Sequence, residues 1–229
     1  MTLDTALRLT EMLLGFALLQ QSLEYLAVLR DDRLLFGLRA VLSVLLIAGV
    51  APGWTGLALL ALALAVLARF DGPYNGGSDR MSLLILICLC LAHLLPGPRL
   101  REAAFGYLAV QLVLSYLLSG AVKIASRDWR RGEALRDVFA FSAYPVSRTL
   151  RRLAARPRVL AAASWGVMLF ELAFPAALLS GTGLILALTV AALFHLANAC
   201  LFGLNRFFWA WLAAYPSIVW LQARLAAGA

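Results

Sequence analysis

From Leu57 to Leu67 the chain reads LALLALALAVL, a run with neither a charge nor a hydrogen-bonding side chain. A helix crossing hydrocarbon needs about 20 mostly apolar residues, and inside a bilayer only helices and closed barrels satisfy every backbone group. Comparable apolar stretches recur at roughly 5–29, 34–51, 54–70, 80–96, 102–125, 158–180, 183–203 and 205–222. At 63% hydrophobic and 14% charged, 229 residues carry more apolar surface than one soluble core can hide. The expectation is an all-α polytopic integral membrane protein, about eight transmembrane helices in a single domain spanning 1–229. The pair within 34–70, joined by APGW, also reads as a re-entrant hairpin.

The net charge of +8 does not point to nucleic acid. The arginines sit at the ends of the apolar segments, where they meet lipid headgroups, and no soluble domain offers a basic patch. The start, MTLDTALRLTEML, lacks the basic region and small-residue cleavage site of a secretory signal, so the first helix is expected to persist. Cys88, Cys90 and Cys200 fall in apolar runs without metal-ligand spacing and read as buried fillers, with no metal site implied.

The long connection at 126–157 has apolar Ala134, Leu135, Val138 and Phe139 among Arg130, Arg131, Arg136, Asp137, Arg151 and Arg152. That pattern predicts helical segments lying in the membrane interface, with Trp129, Phe139, Phe141 and Tyr144 suited to the headgroup zone.

Of the 20 basic residues, Lys123 is the one lysine. On position alone it could snorkel to the nearby interface. Arginine does that equally well, yet only lysine can give up its proton and serve as a base. Four-residue steps link it to Ser119, Ser115 and Gln111, a polar stripe on one helix. Glu171 falls near mid-membrane on a later helix, where facing lipid would cost at least ~2.5–3.5 kcal/mol, so it is expected to point inward. His195 and Asn198, three apart, share a face of the seventh helix. Against these stand plain alternatives: a histidine satisfied between helices and a glutamate that only neutralises a buried base. His93, Glu11, Gln20, Gln21 and Glu24 read as packing residues.

QLVLSYLLSGAVKIASRDWRRGEAL at 111–135 and FHLANACLFGLNRFFWAWLAAYPSIVW at 194–220 resemble the membrane core of the vitamin K-dependent gamma-carboxylases and of the wider bacterial group of horizontally transferred transmembrane (HTTM) proteins. YNGGSDR at 74–80 resembles the corresponding bacterial segment and adds Asn75 to the candidate contacts. The resemblance covers most of the chain and is strongest from 107 to 220. It implies that Lys123 deprotonates a reduced quinone, with His195 in the same membrane site and Glu171 at a position that is acidic across the family. Two departures matter. The loop has NGGSD where the animal enzymes carry a histidine-containing sequence, and no soluble peptide-recognition region is expected after QARLAAGA.

The expected function is therefore a membrane enzyme, a gamma-carboxylase-like lyase or oxidoreductase without the peptide-recognition domain. Lys123, Glu171 and His195 would act on a quinol such as menaquinol or on a peptide in peptide maturation. Gln111, Ser115, Ser119, Trp129, Asn198 and Asn75 would contact the substrate or lipid. The alternative is a non-catalytic subunit that binds lipid or quinone, or that scaffolds a protein or peptide partner. The environment is a bacterial-type inner (plasma) membrane crossed several times. The arginine excess places the Lys123 face in the cytoplasm, whereas the resemblance places it outside.

Overall fold

The computed structural model describes residues 1–28, 32–69, 76–141 and 148–228, with the side chains of 148 and 149 excepted. Asn75 and Tyr144 lie outside the described residues. Within them the chain is helical: α1 (Leu3–Val28), α2 (Arg33–Ala48), α3 (Pro52–Arg69), α4 (Gly77–Leu94), α5 (Pro98–Ala125), α6 (Arg127–Arg131), α7 (Glu133–Phe141), α8 (Arg148–Arg151), α9 (Pro157–Ala173), α10 (Gly181–Phe202) and α11 (Asn205–Gly228). Short 3₁₀ turns follow α8 and α9, over Arg152–Ala155 and Phe174–Leu179.

Five of these helices are long and apolar enough to cross a bilayer: α3, α4, α5, α9 with its 3₁₀ extension, and α10. The expected count of about eight stands at five by length and composition. The other three long helices do not combine that length with that apolarity. α1 buries Glu11 and Gln21, α2 spans only 16 residues and buries Arg39, and α11 holds Arg206 and Arg224.

The chain divides into two compact units, 1–110 with 206–229, and 111–205. In the first, α2 ends at Gly49, whose φ of 75° allows its amide to cap the helix by bonding back to Leu46 O at 3.1 Å. Arg8 reaches the same end and donates to Leu46 O at 2.9 Å and to Ile47 O. Its Nη1 also binds Glu11 Oε2 at 2.8 Å, while Glu11 Oε1 meets His93 Nε2 at 2.6 Å, so α1, α2 and α4 are tied at one point.

In the second unit, burial follows helical periodicity. α9 buries Leu160, Ser164, Met168 and Glu171, and α10 buries Leu184, Leu188, Ala191 and His195. The opposite side of α10 exposes Ile185, Leu186, Val190 and Leu193, an apolar surface suited to lipid. Cys200 continues that outward stripe three or four residues beyond Leu196 and Ala197. The expectation that it is buried is corrected to exposed, whereas Cys88 and Cys90 are buried fillers in the first unit.

The described part of the connection after α5 is helical as its amphipathic pattern predicts. α6 ends at Gly132, at φ 75°, and its last carbonyls are held from α9: Ser164 Oγ donates to Trp129 O at 2.5 Å and Trp165 Nε1 to Arg130 O at 3.1 Å. α7 turns Phe139 inward onto Phe202 of α10, ring centroids 5.1 Å apart, and leaves Phe141 80% exposed.

Candidate functional site

Gly120 determines how closely α5 and α9 approach. A Cβ there would lie 2.9 Å from Leu172 N and 3.0 Å from Glu171 Cβ, so the two backbones can approach this closely only without a side chain. One turn further along α5, Lys123 consequently faces Glu171. Its Nζ lies 2.5 Å from Oε1 and 2.7 Å from Oε2, a two-pronged contact, and 2.8 Å from Ser119 Oγ. Ser119 Oγ itself lies 3.3 Å from Glu171 Oε1. The glutamate side chain is 4% exposed and the lysine side chain 17%. This burial gives the pair its chemical interest, because two charges held away from water lose several kcal/mol of hydration each, which their contact has to offset. Gly120→Ala is expected to wedge the helices apart, lengthen the Lys123–Glu171 contact and cost about 1–3 kcal/mol. Thermal unfolding in detergent reads the loss.

The amine is roofed by Trp129, whose ring centroid lies 5.1 Å from Nζ, within the range of a cation–π contact. Toward the middle of α5, Tyr116 OH and His195 Nε2 are 3.0 Å apart, both groups buried, and Tyr116 stacks on Phe174 at 4.1 Å between centroids. Two proton-bearing pairs, amine with carboxylate and phenol with imidazole, thus share one face of α5.

Trp129 also walls a cavity of about 590 Å³ within the second unit. Leu135, Val138 and Phe141 of α7 and Phe194 and Phe202 of α10 supply apolar walls, and Asn198 is a polar group among them. Its size lies within the roughly 300–1,000 Å³ of small-molecule sites, and its lining is the mostly apolar one such sites use.

The structure therefore brings together Lys123, Glu171, Ser119 and Trp129, sets His195 against Tyr116, and puts Asn198 on the cavity wall. Ser115 does not join them, because its hydroxyl turns back to Leu112 O at 2.7 Å. Gln111 is half-buried and lies earlier in α5, twelve residues before Lys123. The reason is helical drift. Steps of four advance about 400° rather than 360°, so Gln111 is rotated by ~120° from Lys123. The face that meets α9 and α10 runs instead through Tyr116, Ser119, Gly120 and Lys123. Sequence reasoning missed Tyr116, Gly120 and Ser164, although the first two stand seven and three residues before the lysine, on its face.

The family described as HTTM domain matches residues 103–221, from early α5 into α11. No curated protein and no solved structure matches the chain.

Proposed function

The chain belongs to the HTTM-domain family, a membrane protein of apolar helices, and from that premise we propose that it is an enzyme whose Lys123–Glu171 pair takes a proton from an acidic hydroxyl of an apolar substrate held in the cavity behind Trp129. The carrying observation is the placement of Trp129, which covers the amine on one side and walls the cavity on the other. A reduced quinone such as menaquinol fits this chemistry: a ring to stack on aromatic walls, an isoprenoid tail for the apolar lining, and a hydroxyl to surrender a proton.

Each residue has a distinct part. Transfer of one proton from the ammonium to Glu171 along their short hydrogen bonds leaves an amine with a free electron pair. That amine then receives the substrate proton and becomes ammonium again, the substrate leaving as its oxyanion beside it. Ser119 holds the amine in line with the carboxylate. Tyr116 and His195 form the next proton-bearing pair along α5 and serve as the relay that clears the pair afterward. Asn198, which lines the mostly apolar cavity together with Asp137, supplies a hydrogen-bonding group and orients the ring.

Eight helices cross the bilayer in this reading, α1, α2 and α11 included, in a bacterial-type inner membrane. In this eight-span reading the arginines at 30, 33, 69, 80, 127–158 and 206 fall, by the alternation of spans along the sequence, on the same membrane side as Lys123, which favours the cytoplasm for that side. A membrane-impermeant thiol reagent applied to intact cells should leave a cysteine introduced at position 153 unlabelled until the cells are opened. Labelling from outside would reverse the orientation.

Occupancy of the cavity is tested by purifying the protein in gentle detergent, extracting bound lipid and identifying it by mass spectrometry. The wild type should carry an isoprenoid quinone in near-stoichiometric amount, and Val167→Trp, which fills the cavity from α9, should lose it. Absence of any isoprenoid from the wild type, or its full retention in Val167→Trp, would rule out this substrate site. Phospholipid alone would favour the non-catalytic lipid-binding subunit.

A further inference from the structure

A second polar cluster lies in the first unit, apart from the proposed chemistry. Arg39, on α2, is 3% exposed, and its Nε donates to Ser22 Oγ of α1 at 2.8 Å. Its guanidinium carbon lies 4.9 Å from the Phe36 ring centroid. At the start of α4, Asp79 Oδ1 accepts from Gln21 Nε2 at 2.8 Å. One atom of each charged group is left over. Arg39 Nη2 and Asp79 Oδ2 are both buried and have no hydrogen-bond partner among the described residues.

Both residues line the same cavity, together with Gln21, Ser82, Leu18 and Leu86. It offers about 20 Å³ of room for the centre of a water molecule, where roughly 10–15 Å³ suffices for one. Empty cavities in proteins are apolar, whereas this one is flanked by a donor and an acceptor that each lose about 1–3 kcal/mol if left unbonded. The occupant must accept from a guanidinium and donate to a carboxylate. An anion satisfies the first and is repelled by Asp79, and a metal ion satisfies the second and is repelled by Arg39. Only a small neutral molecule with both capacities fits.

We propose that one water molecule is bound between Arg39 Nη2 and Asp79 Oδ2, linking α2 to the start of α4 and completing a buried charge pair. Its second hydrogen faces a lining that includes Ser82.

Radiolytic hydroxyl labelling of the intact protein tests this, because side chains touching a bound water are oxidised far faster than their exposure predicts. Leu86 lines the cavity and Leu14 does not, and both are 0% exposed. Leu86 should be oxidised severalfold faster than Leu14, and Asp79→Leu, which removes the acceptor and fills the space, should bring Leu86 down to the rate of Leu14. Equal rates in the wild type would overturn the proposal. A Leu86 rate that stays high in a folded Asp79→Leu variant would overturn the assignment of Asp79. Should that variant fail to fold, the wild-type comparison decides alone.

Discussion

Lys123→Met is expected to destabilise the protein by about 3–5 kcal/mol, because it leaves the carboxylate of Glu171 buried without its countercharge. The glutamate side chain is 4% exposed, and in the wild type its two oxygens receive the ammonium at 2.5 and 2.7 Å. Adding Glu171→Leu to that variant should restore most of the stability, since a well-packed apolar pair of similar volume is often as stable as the ion pair it replaces. Unfolding monitored by thermal shift or by denaturant in mixed micelles measures both. A single variant as stable as the wild type would mean that Glu171 has another source of compensation. If the double variant recovers stability yet lacks activity, the pair exists for its chemistry rather than for folding.

The second large effect is expected at Gly132. This residue sits at φ +75° between α6 and α7, and a Cβ there would lie 2.6 Å from Ala161 N and 2.7 Å from Ala161 Cα. Left-handed backbone costs a non-glycine residue roughly 1–3 kcal/mol, and the collision with the backbone of α9 adds overpacking of about the same size. Gly132→Val should therefore cost about 2–6 kcal/mol and detach α6 and α7 from α9. Trp129 leaves the amine in that event and the cavity opens, so retention of bound lipid should fall with stability. An unchanged unfolding temperature would show that α6 and α7 do not pack on α9 through this glycine.

How much of this was legible in the sequence depends on the kind of signal. Helix positions follow from hydropathy, because apolar length is the whole requirement for a spanning segment. α4, α5, α9 and α10 all begin within a few residues of where the sequence puts them. The inward direction of Glu171 follows from the cost of a charge facing lipid, but its partner does not, since nothing in one sequence says which helices touch. The stripe of four-residue steps is right near Lys123 and misleads toward Gln111, because drift accumulates along a helix. Gly120 and Gly132 carry no signal of their own. Their meaning is a distance to a helix about 30 to 50 residues further along, visible only once the packing is known. Arg39 is the reverse case, and it corrects the expectation that the arginines sit at the ends of the apolar segments, because it is buried inside α2. An arginine within LLFGLRAVLSVLL stands out as soon as it is asked what would satisfy it there.

The account turns on Lys123 as a proton acceptor. Because the oxyanion it forms is the species that dissolved dioxygen oxidises, quinol going to quinone as oxygen is reduced to peroxide, the most direct measurement is oxygen-dependent consumption of reduced menaquinone by the purified protein in lipid, comparing wild type with Lys123→Arg. Arginine keeps the charge and the contact with Glu171 but cannot act as a base. The account predicts that the wild type consumes the quinol and that Lys123→Arg is slower by about 10²–10⁴-fold, the usual worth of a positioned base, while still binding the quinone. Equal rates in the two proteins would contradict it.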